Sequence, residues 1–157
     1  MTPTNEHNAL LVKFLEGTEE HPLFPWTHAG ILSLGDADWE LAHNIIQWMF
    51  PLTTPSLSQP STPWLTKDQS VKLSLAAQFR ARMRASGKRY NSFLVNNVCW
   101  RGAHNHNHLR ITRAISSLSM HGCRREGLSL YDTALALQVD ATKDTLGYWK
   151  SALGANP

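Results

Sequence analysis

The chain has little cysteine, no long apolar run and almost no acid across its middle. Its two cysteines in 157 residues, Cys99 and Cys123, make no disulfide framework, so a reducing, cytoplasmic setting is expected. Its apolar runs are a few residues long, far from the ~20 residues that a membrane span needs. The start, MTPTNEHNALLVKF, has no basic region followed by an apolar core, so no secretory signal is expected. No glycine loop for phosphate, Walker pattern or dinucleotide fingerprint occurs, and no cofactor is expected. No alternating run marks a strand. Residues 67–125 hold one acid, Asp68, against twelve of the fifteen Lys and Arg residues.

What is present is a globular composition, 42% hydrophobic and 17% charged, long enough to bury one core. The net charge of +3 conceals a basic half set against segments that carry eleven of the twelve acids. Two readings follow. The basic half meets an anionic partner such as nucleic acid, phosphate or an acidic surface, or it docks on the acidic segments of its own chain.

Helical periodicity dominates, and the expected fold is a single all-α domain over residues 1–157, with about six helices. The first covers residues 5–16 and stops at Gly17. Residues 18–35 read as a loop anchored by Phe24, Trp26, Ile31 and Leu32. A second, very apolar helix covers residues 38–50 and ends at Pro51. Residues 51–66, with four prolines and many serines and threonines, read as a long irregular loop. Thr66 and Gln69 form a plausible capping box for a third helix that ends near Gly87. Residues 90–100 are ambiguous between helix and extended chain. A fourth helix spans residues 103–120, and two more cover 129–139 and 142–153.

The densest polar motif, NHNHLRITR (Asn105–Arg113), lies at the start of the fourth helix. Projection at 100° per residue puts Ile111, Ile115 and Leu118 on the core stripe. His104, Asn107 and His108 fall on that side, one turn earlier. His106, Arg110, Arg113, Ser117 and His121 fall on the opposite side. His104 and His108 have the i,i+4 spacing with which two imidazoles reach one metal. They lack an intervening glutamate and a clear third ligand, so no metal is assigned; the alternative is that they cap the helix start.

His106, Arg110 and Arg113 suit an anion, because two guanidiniums one turn apart can grip a carboxylate or phosphate. The alternative is a solvated basic face, or salt bridges within the chain. His43 and Gln47 share the only polar strip of the second helix and suit a cleft facing the motif. His43 and His106 are the candidate acid–base groups if the protein is an enzyme.

Two segments resemble a known family. ELAHNIIQWMFPL (Glu40–Leu52) is similar to the H-x-x-IQWLFPL segment of the opioid growth factor receptor conserved domain. Trp100 through HNHLRITR to Ser117–Leu118 is similar to its HNxLRITRILKSL segment, and a proline-rich loop lies between the two in the same order. The resemblance covers roughly residues 38–122 and is nearest to the short microbial members. It implies a ligand-binding domain for a peptide or small anionic molecule. The matching polar positions are His43, Gln47, His106, Asn107, Arg110, Thr112 and Arg113. His104 and His108 do not match. Nucleic-acid binding by the basic half and a small enzyme remain the other two readings. The sequence leaves the oligomeric state open.

Overall fold

A computed structural model describes residues 5–18, 20 and 27–157, and the expected loop anchors Phe24 and Trp26 lie outside these. Among the described residues the chain is all-helical, with nine helices and no strand, and it forms one compact fold. The helices are α1 (Asn5–Leu15), α2 (His28–Leu32), α3 (Asp36–Leu41), α4 (Ile45–Met49), α5 (Lys67–Ser74), α6 (Ala77–Asn96), α7 (Asn107–Met120), α8 (Arg124–Leu137) and α9 (Lys143–Ala152).

The difference from six helices comes from breaks inside expected elements. The helix expected over residues 38–50 is two short helices, α3 and α4, separated at Ala42–Asn44, where Ala42 turns extended. The helix expected to end near Gly87 is also two. Ala76 is extended between α5 and α6, and α6 then runs straight through Gly87 to Asn96. Gly87 permits close packing rather than a stop. A Cβ there would lie 3.1 and 3.2 Å from the Leu118 methyls of α7. The segment left ambiguous is therefore helical as far as Asn96. A short helix, α2, occupies part of the expected loop 18–35. Residues 51–66 contain no helix, and Leu65 at their end is fully buried.

Local signals act at several ends. Thr66 and Gln69 form a reciprocal capping box, with backbone N–H groups donating at 3.0 and 3.1 Å. Thr142 caps α9. Gly17 and Gly122 take the left-handed backbone conformation just past α1 and α7, where a side chain would be strained.

The core joins Leu11, Phe14, Trp39, Ile45, Ile46, Phe50, Phe79, Tyr90, Ile111, Ile115 and Trp149, among others. Helix α7 is central. It packs on α6, α8 and α9, and its residues from Asn107 to Leu118 are buried except along the Leu109–Thr112–Ser116 side.

A helix buried this fully needs an account of its polar side chains, and backbone carbonyls supply it. The last four carbonyls of a helix have no partner within it. Five arginines of the basic half donate to such carbonyls at or near helix ends. Arg80 reaches Ser74 O of α5 at 2.6 Å, Arg89 reaches Leu34 O beyond α2 at 2.8 Å, and Arg101 reaches Val95 O of α6 at 3.0 Å. Arg110 takes the end of α3 and Arg113 the end of α4. The basic half thus docks on its own chain mainly through main-chain dipoles. Two acids also take part among the described residues: Asp36 pairs with Arg89 and Glu40 with His106, each at 2.8 Å. These contacts compensate charge and also tie down the ends of four short helices and of α6.

Candidate functional site

The site is built where α3, α4 and the following loop meet α7. Asn105 opens α7, its Oδ1 accepting from the Asn107 backbone N–H at 2.9 Å. From there the polar residues point in more than one direction.

Asn107 is fully buried and central to a polar chain. Tyr90 OH donates to Asn107 Oδ1 at 3.1 Å, and Asn107 Nδ2 donates to Glu40 Oε2 at 2.8 Å. The other Glu40 oxygen meets His106 Nε2 at 2.8 Å. His43 is exposed and lies across from His106, ring centres 6.4 Å apart. Burial drives the Tyr90 hydroxyl far above its ordinary range, so it remains a proton donor.

Arg110 and Arg113 correct the helical projection. They do not form a solvated face; both are about nine-tenths buried. Arg110 Nη1 donates to Trp39 O at 2.7 Å, and its Nη2 reaches Glu40 O and Ala42 O at 3.4 Å. Arg113 Nε donates to Phe50 O at 2.8 Å and Nη2 to Gln47 O at 3.4 Å. One and two turns further on, Ser117 donates to Pro51 O at 2.7 Å, and His121 is fully buried. The row opposite the apolar stripe is therefore a second buried face. It is polar because it meets the exposed carbonyls of α3, α4 and Pro51.

The two arginines differ electrostatically. Burial lowers the pKa of Arg110, opposed by the nearby Tyr90 hydroxyl and Glu40 carboxylate. For Arg113 burial is the only cause at work, and it brings the guanidinium down to about 10. No carboxylate lies within 4 Å of Arg113 among the described residues, and its Nη1 has no hydrogen-bond partner there.

Arg113 lines a groove of about 250 Å³ together with Arg110, Gln47, Thr112, Leu109 and the loop residues Leu52 and Pro55–Ser58. The rim is apolar: Leu57 is 98% exposed and Leu109 65%. Gln47 also has a local task. With its amide nitrogen facing the chain, it donates to His43 O and Asn44 O at 3.2 Å. Thr112 Oγ1 donates to His108 O at 3.1 Å.

Of the seven site positions expected from sequence, the groove thus gathers Gln47, Arg110, Thr112 and Arg113. His43 and His106 form a separate cluster with Glu40, and Asn107 is enclosed behind it. Leu57 and Leu109 had no signal in sequence, since an isolated leucine in a loop or on a helix reads as core.

His104 and His108 do not converge. His104 is exposed, whereas His108 Nε2 is 2.7 Å from Trp100 O and its ring stands edge-on to Trp149. No group of three potential metal ligands occurs among the described residues. Cys99 and Cys123 are both free. Burial and the Glu40 carboxylate raise the Cys99 thiol, the opposite of an activated nucleophile. No helix among the described residues is long and apolar enough to cross a membrane. No protein-family model, curated protein or solved structure matches the chain.

Proposed function

We propose that the chain is a ligand-binding domain of the opioid growth factor receptor type, and that the groove between α4, the following loop and α7 receives its ligand. The observation that carries this reading is Arg113: a buried cation, without a carboxylate, lining a groove. Burying a charge without an opposite charge is costly, and carbonyl dipoles offset only part of that cost. A ligand carboxylate supplies the rest, through a charge-assisted hydrogen bond in a site already partly dry.

The walls and the volume narrow the ligand further. Ile46, Leu52, Pro55 and Leu109 line the groove beside the arginines. A volume near 250 Å³ suits one or two residues or a small acid rather than a long peptide. The favoured ligand is the C-terminal residue of a short peptide, with a free carboxylate and an apolar side chain. The two segments that carry the family resemblance, residues 40–52 and 100–118, also supply most of the groove and the helix ends behind it.

A peptide ending in leucine and its C-terminal amide form a matched pair of probes for calorimetric titration. The free acid is expected to bind at least tenfold more tightly than the amide, and Arg113→Met is expected to abolish that difference. Equal binding of acid and amide, or no binding of either, refutes the reading.

An acid–base reading of His106 and Glu40 has one supporting observation, the 2.8 Å imidazole–carboxylate contact. The Cys99 thiol near Glu40 is raised rather than lowered in pKa and so offers that pair no activated nucleophile; binding is the stronger reading.

A further inference from the structure

Five arginines of the basic half are occupied by carbonyls, but a second group of cations is not. Arg84 and Lys88 lie one turn apart on α6, after Arg80 on the same row. Arg124 and Arg125 open α8 directly beside them. The charges of Arg80 and Arg84 both act on the thiol of Cys123, the residue before Arg124. Lys88 and Arg125 line one cleft of about 360 Å³, together with Asn91, Ser92, Glu126 and Ser129. Lys88, Arg124 and Arg125 are exposed, and Arg84 is partly so. None of these cations is within 4 Å of a carboxylate oxygen among the described residues, and Glu126 is the only acid lining the cleft.

Like charges one turn apart on a helix repel, as Arg84 and Lys88 do on α6, and Arg125 of α8 faces Lys88 across the cleft. The N-terminus of α8 adds to the positive field. Its cap residue, Cys123, makes no side-chain capping bond, so the first N–H groups are not satisfied by it. We propose that this α6–α8 face binds the phosphate backbone of a nucleic-acid duplex, without reading its sequence.

The chemistry of the face favours that partner. Serine and asparagine, rather than apolar side chains, lie between the cations in the cleft, which suits phosphates better than a bilayer surface. Tyr148, the one large aromatic at least 40% exposed among the described residues, belongs to α9 and not to this face. Stacking on single strands therefore has no platform here. This surface does not use the Arg113 groove, so the two proposals stand or fall separately.

The test is fluorescence anisotropy of a labelled, mixed-sequence 20-base-pair DNA duplex titrated with the full chain between 50 and 200 mM salt. Four phosphate contacts predict a log–log slope of about −3.6, a loss of about 150-fold in affinity over that range. Arg124→Ala/Arg125→Ala is expected to lower the slope to about −1.8 and the loss to about 12-fold. Lys143→Ala/Lys150→Ala removes the same charge from exposed positions on α9 and is expected to leave the slope unchanged. No duplex binding at 50 mM salt overturns the proposal. So do equal effects of the two double variants, and so does binding to phosphatidylserine vesicles without binding to duplex.

Discussion

Replacing Arg113 by methionine separates the structural task of that side chain from its proposed binding task. Methionine keeps much of the length of the side chain and removes its charge and donors. The structural loss is the 2.8 Å bond to Phe50 O, with a weaker contribution from the 3.4 Å contact to Gln47 O. A hydrogen bond to a charged group contributes about 1.5–3 kcal/mol, and the carbonyl left behind costs about 1–3 kcal/mol more. Against this, the variant no longer buries a cation. The fall of the guanidinium from 12.5 to about 10 corresponds to roughly 3 kcal/mol at 1.36 kcal/mol per unit.

The terms largely cancel, and the expected net loss is about 1–2 kcal/mol, below the ~3–5 kcal/mol of breaking a buried ion pair. With a urea m-value of about 2 kcal/mol/M, the midpoint drops by roughly 0.5–1 M. Tryptophan fluorescence provides the readout, since the chain has six tryptophans. A loss above ~4 kcal/mol would mean that Arg113 stabilises far more than a carbonyl cap can. The case for an incompletely compensated charge would then fail. No loss at all would remove the capping role.

Other expectations follow from the same contacts. Burial holds His28 and His121 near pKa 4, against 6.5 for the free imidazole. As pH falls through 6.5 the unfolded chain takes up these protons first, so stability is full above 6.5 and declines toward pH 4. The decline reaches roughly 2 kcal/mol per histidine at pH 5, and urea midpoints that stay flat from pH 7 to 5 would contradict it. Asn107→Ala strands Tyr90 OH and removes a donor from Glu40; chemical unfolding should show a loss of about 2–3 kcal/mol. Gly87→Ala pushes a Cβ to 3.1 Å from Leu118 and should cost about 1–2 kcal/mol through overpacking, against about 1 kcal/mol gained in helix propensity. A more stable variant would show that the α6–α7 contact yields freely.

Much of the fold is legible in local pattern. The apolar stripe of Ile111, Ile115 and Leu118 marks the buried side of α7, and the Thr66–Gln69 and Thr142 caps mark where α5 and α9 begin. The break at Ala42–Asn44 is not legible, because ELAHN contains neither proline nor glycine and each residue tolerates a helix. That break also hides the destination of the arginines. A projection assigns Arg110 and Arg113 to solvent because no apolar partner faces them. Their actual partners are carbonyls, which carry no trace in side-chain pattern. One signal was available. Twelve cations against one acid, threaded through apolar helices, leave side-chain ion pairs too scarce to account for them all. The separation of His43 and His106 from the groove has the same origin, since the α3–α4 break turns His43 toward His106 rather than toward Gln47.

The most direct test of the groove is amide chemical-shift mapping of the labelled protein with the leucine-terminated peptide acid, with its amide as the control. The account predicts that the acid shifts residues 46–47, 52–58 and 109–116, that the amide does not, and that Arg113→Met removes the response. Shifts confined to His43 and His106, or identical shifts from acid and amide, would contradict it.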